Sequence, residues 1–131
     1  PVTAAWSSAA LSVGFVVTVY GMMGPSLYRA YDPEPMAREI AKLQADKVAL
    51  AHRSEYHGQY HFAGRLTEPI LAIENEPALV EWCKAHPDGY VIKYWRGDDD
   101  PYAGQTLFKS YFRGGHVGLV RATAFIPAEQ N

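Results

Sequence analysis

The first 28 residues of the chain contain no charged side chain and no histidine, and this opening constrains the fold more than any other stretch. A bilayer core of roughly 30 Å needs about 20 mostly apolar helical residues, and residues 4–23 supply such a run. Ala10, Gly14 and Thr18 recur every four residues, a small-residue stripe that allows a neighbouring helix to approach closely. The sequence therefore predicts a transmembrane helix over residues 1–30 that packs among other helices.

Two aromatic residues flank this predicted helix. At 1.5 Å per residue, Trp6 and Tyr28 are about 33 Å apart along a helix, which suits amphipathic rings at the two membrane interfaces. The Gly24-Pro25 pair is expected to end the helix or to kink it, because proline lacks the amide donor. The alternative is the buried helix of a soluble protein.

Residues 31–131 are predicted to form one compact soluble α/β domain. Charges of both signs are interspersed and the formal net charge is −2, so the composition provides no basic surface for nucleic acid. Cys83 is the single cysteine, which excludes an intramolecular disulfide. The chain begins at Pro1 without an initiator methionine or a basic region, which is not typical of a secretory signal peptide and predicts a fragment of a longer protein.

Helical and strand patterns alternate through this domain. Asp32 and Pro33 predict the start of a helix that ends near Ala45, with Met36 and Ile40 on its apolar face. Apolar runs predict buried strands at residues 47–51 and 69–73, and β-branched and aromatic residues predict a third strand at 90–95. Helices are expected at 54–66 and, capped by Asn75, at 75–85.

The end of the chain carries a hairpin signal. Arg113-Gly114-Gly115 lies between predicted strands at 106–112 and 116–125. Strands that alternate with helices indicate parallel pairing, while the hairpin adds antiparallel strands. The predicted fold is α/β: an N-terminal transmembrane helix, then a small mixed β-sheet domain with helices packed on it and a C-terminal hairpin.

Histidine spacing suggests a metal site only weakly. His57 and His61 are four residues apart, so on a helix they would share a face and could ligate a metal with His52 or Glu55. A zinc hydrolase would also need a glutamate beside the first histidine, and none is present. Partly exposed histidines are the simpler interpretation, and we predict no metal site.

Other catalytic signatures are weak or missing from the sequence. Cys83 follows a tryptophan but lacks the second cysteine of a thioredoxin-type motif, and its place late in a predicted helix favours an inert buried thiol. Residues 98–100 are three aspartates without the alternating ligands of a calcium loop. There is no nucleotide-binding loop and no nucleophile elbow. We expect no catalytic residue within the chain and no cofactor.

An aromatic and cationic set is the strongest candidate for ligand binding. Tyr56, Tyr60, Phe62 and Arg65 fall on the helix predicted at 54–66, and arginine binds phosphate bidentately. We therefore predict Tyr60 and Arg65 as substrate-binding residues. The alternative is that the aromatic rings fill the core while Arg65 caps the end of the helix.

Several segments together resemble the C-terminal region of bacterial integral-membrane glycosyltransferases of the GT-C type, in the aminoarabinose transferase and protein O-mannosyltransferase-like group. The resemblance covers nearly the whole chain, and it is carried by residues 36–41 and 48–50, by Tyr56 to Phe62 with Arg65-Leu66, by Trp82, and by residues 86–90.

The resemblance implies an enzyme that transfers a sugar from a polyprenyl-phosphate donor to a lipid, glycan or protein acceptor. It implies other transmembrane helices of the same full-length chain, and a soluble domain on the periplasmic side of the bacterial inner membrane. The family's catalytic carboxylate lies in an early loop that this sequence does not contain, so no catalytic residue is carried over. Arg29, Arg38 and Lys42 follow the apolar run closely, which by itself favours the cytoplasmic side.

Two other functions are alternatives to the transferase. A membrane-tethered α/β interaction module without catalysis predicts one membrane span in the complete protein, whereas the transferase predicts about ten or more. A soluble α/β enzyme with a buried N-terminal helix predicts solubility without detergent.

Overall fold

The computed structural model describes residues 2–127, apart from the side chains of residues 2–5 and 27. The chain divides into two compact units between Tyr31 and Asp32. The first unit is one helix, and the second is the α/β domain that the sequence predicts.

The first unit is helix α1, Val2–Tyr31. Within it, Trp6–Ser26 is long and apolar enough to cross a membrane, and it is the one such helix among the described residues. The hydroxyl groups of Ser12 and Thr18 donate to carbonyl oxygens four residues earlier, at 2.9 and 2.8 Å, which satisfies these polar groups within the helix.

Of the two outcomes predicted for Gly24-Pro25, an end or a kink, the end of α1 is wrong, because the helix continues through Pro25 to Tyr31. Proline removes one amide donor and disturbs one turn, and the residues after it still adopt helical structure here. The apolar side chains of α1 are exposed, including Leu11 and Phe15.

The second unit is built on a five-stranded mixed sheet in the order β2-β1-β3-β5-β4. Strand β1 (Leu50–Arg53) pairs in parallel with β2 (Leu71–Ile73) and with β3 (Tyr90–Trp95), which is the central strand. Strand β5 (Gly115–Arg121) lies antiparallel to both β3 and β4 (Thr106–Phe112). The mixed sheet and its hairpin confirm the predicted fold class.

Helices cover both faces of the sheet. On one face, α2 (Glu34–Ala45) and α3 (Gln59–Gly64) pack on a core that comprises Met36, Ala37, Ile40, Tyr60, Ile70, Ile92, Phe112, Val117 and Leu119. On the other, α4 (Glu76–Ala85) and the short 3₁₀ helix Ala122–Phe125 pack on Ala51, Ile73, Leu79, Cys83, Val91 and Ala122. Adjacent residues of β3, Val91 and Ile92, therefore point to opposite faces.

Strand β1 begins three residues later than the strand predicted at 47–51. Lys47 has a left-handed backbone (φ 59°), and the amide of Val48 donates to the carbonyl of Leu43 at 2.9 Å. This is the Schellman arrangement that closes a helix. Residues 46–48 therefore end α2 rather than begin the strand.

The strand predicted at 69–73 is shorter than expected, and it is not buried on both faces. Strand β2 lies at the edge of the sheet, where Leu71 is 52% exposed while Ile73 is buried. A short apolar run does not show whether a strand lies inside the sheet or at its edge, because that position depends on the order of the strands.

The hairpin is confirmed, with a two-residue turn at Arg113-Gly114. Both residues have left-handed backbones, with φ of 53° and 80°, the type I′ geometry that matches the twist of paired strands. Strand β5 ends at Arg121, earlier than the predicted residue 125.

Candidate functional site

The helix predicted at 54–66 is only six residues long in the structure, from Gln59 to Gly64. Ser54 and Gly58 have left-handed backbones, with φ of 82° and 74°, which are incompatible with a continuous helix through this segment. His57 therefore precedes the helix that carries His61, and the shared helical face predicted for these two histidines does not exist.

Among the described residues, no three His, Cys, Asp or Glu side chains form a group that could hold a metal ion. His61 instead shares a hydrogen bond with the hydroxyl of Tyr56, at 2.7 Å. Asp100, one of the three consecutive aspartates, accepts from the backbone amide of Tyr102 at 2.9 Å, as a turn residue does.

The two predicted substrate-binding residues have different surroundings. Tyr60 is the buried residue of α3 and lies in the core between α2 and the sheet, and its hydroxyl forms a hydrogen bond with that of Tyr94. Arg65 is exposed beside a small hollow of about 170 Å³ between α2 and the loop after α3. The structure does not bring the two side chains into one site.

The backbone of Arg65 caps the end of α3, and a cap at this residue was the alternative to its role in substrate binding. Its φ is 50°, its amide donates to the carbonyl of Phe62 at 3.4 Å, and the amide of Leu66 donates to His61 at 3.0 Å. These bonds form a Schellman cap at the end of α3. Phe62, in contrast, is 96% exposed.

Cys83 lies on the buried face of α4. Burial, together with a smaller effect of the Glu76 charge, raises the pKa of its thiol to about 11. At neutral pH the thiol is protonated and a weak nucleophile.

A concave site of the second unit lies at the carboxyl ends of β1 and β3. From these two neighbouring strands the chain leaves in opposite directions: β1 leads through α3 to β2, and β3 leads to β4. Such a switch point in an open α/β sheet leaves a crevice where ligands ordinarily bind. We call this crevice, of about 380 Å³, the β1–β3 pocket.

Three parts of the chain line the β1–β3 pocket. They are β1 with the loop after it and the first residue of α3 (His52, Ser54, Glu55, His57, Gln59), the end of β3 (Tyr94, Trp95, Arg96) and the hairpin (Phe112, Arg113, Gly115, His116). The antiparallel pairing of Trp95 with His116 places the hairpin turn at this end of the sheet.

His52 is the buried polar residue of the pocket. Its side chain is 1% exposed, and Nδ1 lies 3.0 Å from the backbone carbonyl oxygen of Ser54. A carbonyl only accepts, so Nδ1 carries the proton and donates it. Nε2 is buried and has no hydrogen-bond partner among the described residues, an arrangement that costs about 1–3 kcal/mol when nothing else satisfies the atom.

Burial lowers the pKa of His52, against the opposing effect of the Ser54 carbonyl, and the nearby His57 lowers it further. The ring is therefore neutral at pH 7, and its Nε2 presents a lone pair rather than a proton. Chemically, His52 can accept a hydrogen bond or a proton from a bound molecule.

Aromatic rings hold His52 in place. Its ring centroid is 5.1 Å from that of Tyr56 and 5.7 Å from that of Tyr94. The hydroxyl of Tyr94 also receives a hydrogen bond from the side-chain amide of Gln59 at 3.1 Å. Burial raises the pKa of both Tyr56 and Tyr60, so these phenols are neutral and act through their hydroxyl groups and ring faces.

The charged side chains of the pocket are mostly cationic. Arg96 and Arg113 line it, and no salt bridge among the described residues includes either. The Arg113 guanidinium lies 5.7 Å from the ring centroid of Phe112. Glu55 is the one carboxylate in the lining, and it is exposed and 3.9 Å from His57.

Sequence reasoning missed the β1–β3 pocket, and it considered His52 only as a metal ligand. One signal was available: polar residues follow a predicted parallel strand at His52-Arg53-Ser54, and carboxyl ends of parallel strands form sites. The contributions of Tyr94 and the hairpin depend on strand order.

Comparison of the chain with protein-family models, with curated proteins and with solved structures finds no match. The resemblance to membrane glycosyltransferases stays a prediction.

Proposed function

We propose that this chain is part of an integral-membrane glycosyltransferase that transfers a sugar from a polyprenyl-phosphate donor to a lipid, glycan or protein acceptor. The observation that supports its membrane attachment is the apolar, unburied segment Trp6–Ser26, which precedes a compact α/β unit. The resemblance of residues 36–90 to the C-terminal region of these enzymes supports the reaction.

In this proposal α1 is a transmembrane helix of a larger bundle, and the α/β unit lies on the periplasmic side of the bacterial inner membrane. A Cβ added at Gly14 or at Gly21 would meet nothing within 4 Å, so both positions of the helix are open to a neighbouring helix. Catalytic carboxylates would come from other parts of the enzyme, next to the acceptor hydroxyl.

Membrane insertion is tested by fractionation and carbonate extraction of the full chain. Replacing Phe15 and Val16 by arginine should release the chain, because a central arginine costs about 2.5–3.5 kcal/mol in a membrane helix. Phe62→Arg is the matched control, since Phe62 is 96% exposed in the second unit. Carbonate release of the unmodified chain would contradict the proposal.

Sidedness is tested by labelling with a membrane-impermeant maleimide. Cys83→Ser removes the native thiol, and Phe62→Cys supplies an exposed one on the α/β unit. Labelling in intact spheroplasts places the unit outside the cytoplasm, whereas labelling only after lysis places it inside.

The reaction is tested by sugar transfer from polyprenyl-phosphate donors with the complete gene product. For the predicted residues, Tyr60→Phe keeps the buried ring and Arg65→Gly suits the left-handed backbone, so both variants should fold. Arg38→Gln, which removes an exposed cation of α2 that does not line the hollow beside Arg65, is the control. Unchanged transfer kinetics and lipid binding in both variants would remove Tyr60 and Arg65 from the site.

The second candidate is a membrane-tethered α/β interaction module. It is favoured by the presence of one membrane-spanning candidate among the described residues. The number of membrane spans in the complete protein separates the two candidates.

A further inference from the structure

We propose that the β1–β3 pocket binds a small hydroxylated molecule that carries an anionic group, of the sugar-phosphate class, with His52 Nε2 accepting a hydrogen bond from a ligand hydroxyl. This inference goes beyond the proposed transferase function and does not depend on it, because it uses only contacts within the second unit.

The first step is the direction of the hydrogen bond at His52. The Ser54 carbonyl accepts from Nδ1 at 3.0 Å, so the neutral ring has its lone pair on Nε2. That atom is buried and has no partner among the described residues, and His52 is one of the residues that line the pocket. A ligand that satisfies it must bring a donor, and the hydroxyl groups of a sugar are such donors.

The second step is the charge of the pocket. Arg96 and Arg113 line it without carboxylate partners among the described residues, and Glu55 alone opposes them. Guanidinium groups bind phosphate through paired, charge-assisted hydrogen bonds. The pocket therefore favours an anionic group on the ligand.

The third step is size and shape. A volume of about 380 Å³ is near the lower limit of ligand pockets, roughly 300–1,000 Å³, and suits one phosphorylated monosaccharide. Tyr94 and Phe112, whose ring centroids are 6.2 Å apart, provide apolar surfaces for the C–H faces of a sugar ring.

The test measures binding to the full chain in lipid nanodiscs by calorimetry. The soluble probes are glucose 1-phosphate, glucose and inorganic phosphate, and a polyprenyl-phosphate glucose incorporated in the nanodisc is the lipid-borne probe. We expect glucose 1-phosphate to bind more tightly than glucose or phosphate alone. Binding of the free sugar phosphate indicates a soluble ligand, and binding of the lipid-borne probe alone indicates a membrane-borne one.

Variants separate the contributions of the two ends of the ligand. His52→Asn keeps a donor for the Ser54 carbonyl and removes the Nε2 acceptor, so it should weaken sugar phosphate binding about tenfold without changing phosphate binding. Arg96→Gln with Arg113→Asn should weaken phosphate-bearing ligands about tenfold without changing glucose binding. Asparagine suits the Arg113 turn, which favours Asn-Gly.

Matched controls lie outside the pocket. His86 also has Nδ1 3.0 Å from a backbone carbonyl, that of Trp82, so His86→Asn should leave binding unchanged. Arg38→Gln removes a cation from α2 and should also have no effect.

The proposal is overturned if no sugar phosphate binds at millimolar concentration, or if neither pocket variant changes binding. Nitrogen NMR of the unmodified chain gives a reading that does not depend on variant folding: the His52 Nε2 resonance should shift on addition of glucose 1-phosphate. A resonance that is unchanged with glucose 1-phosphate and also with the lipid-borne probe would reject the proposal, while the insertion and transfer tests would be unaffected.

Discussion

Gly118 lies directly against the indole ring of Trp95: a Cβ atom at Gly118 would be 2.6 Å from Cη2 of that ring. The indole also stacks against His116, at 6.1 Å between ring centroids, and meets the edge of Tyr102 at the same separation. The absence of a side chain at Gly118 therefore positions an aromatic wall of the β1–β3 pocket.

Gly118→Ala should destabilise the second unit by about 1–3 kcal/mol, because the added methyl group must displace the ring or the strand. Urea unfolding measures the loss, and the indole N–H resonance of Trp95 reports the displacement. Gly21→Ala is the control, since a Cβ there meets nothing within 4 Å. Equal stability of the two variants would show that the ring moves without cost.

A hydrogen bond between the hydroxyl groups of buried Tyr60 and half-buried Tyr94 joins α3 to the sheet. Tyr60→Phe should lower the free energy of unfolding by about 1 kcal/mol, since the Tyr94 hydroxyl keeps its bond from Gln59. Tyr60→Ala should cost about 3–5 kcal/mol, because it also leaves a cavity. A double-mutant cycle with Tyr94→Phe measures the coupling, and additive losses would contradict a direct bond.

Local signals account for the parts of the fold that the sequence predicts correctly. The Asn75 side chain accepts from the Ala78 amide at 2.8 Å and begins α4 where expected. Strand β3 matches residues 90–95, and Arg113-Gly114 forms the turn of the predicted hairpin. In each of these elements, residues that are close in the sequence determine the backbone conformation.

Tertiary contacts account for what the sequence does not predict. The helical spacing of Tyr56 and Tyr60 suggested one long helix, yet Tyr56 packs against His52 from a loop, with the left-handed Gly58 between the two tyrosines. Strand order brings His52 beside Tyr94, and sequence spacing alone does not determine that order. The β1–β3 pocket depends on this arrangement.

The N-cap of α4 gives a further prediction. Asn75→Ala should lower the free energy of unfolding by about 1 kcal/mol, because the Ala78 amide loses its side-chain acceptor. Asn75→Asp keeps an acceptor and is the control. Urea unfolding of both variants checks this, and an equal loss would assign another role to the asparagine.

Cys83 should report unfolding of the second unit. Its thiol is buried and its pKa is raised to about 11, so reaction with a maleimide near pH 7.5 should be slow in the folded chain and fast in urea. Phe62→Cys in a Cys83→Ser background is the control, because an exposed thiol should react in both conditions. Rapid labelling of Cys83 in the folded chain would show that α4 opens readily.

Stability should depend on pH through His52. Burial lowers its pKa in the folded chain below the ordinary value of 6.5, so near and below that pH the unfolded chain binds a proton that the folded chain does not. Stability rises with pH wherever the unfolded state binds more protons. The free energy of unfolding should therefore fall as the pH is lowered through 6.5 towards the depressed pKa of the folded chain, and His52 should contribute no penalty above that window.

Urea unfolding at several pH values between about 5 and 8 measures this dependence. His52→Asn removes the titrating group and should give a shallower slope over the acidic part of the range. His86→Asn, which removes an exposed histidine, is the matched control. If His52→Asn and the unmodified chain lose stability in parallel on acidification, the buried imidazole is not the group whose protonation opposes folding.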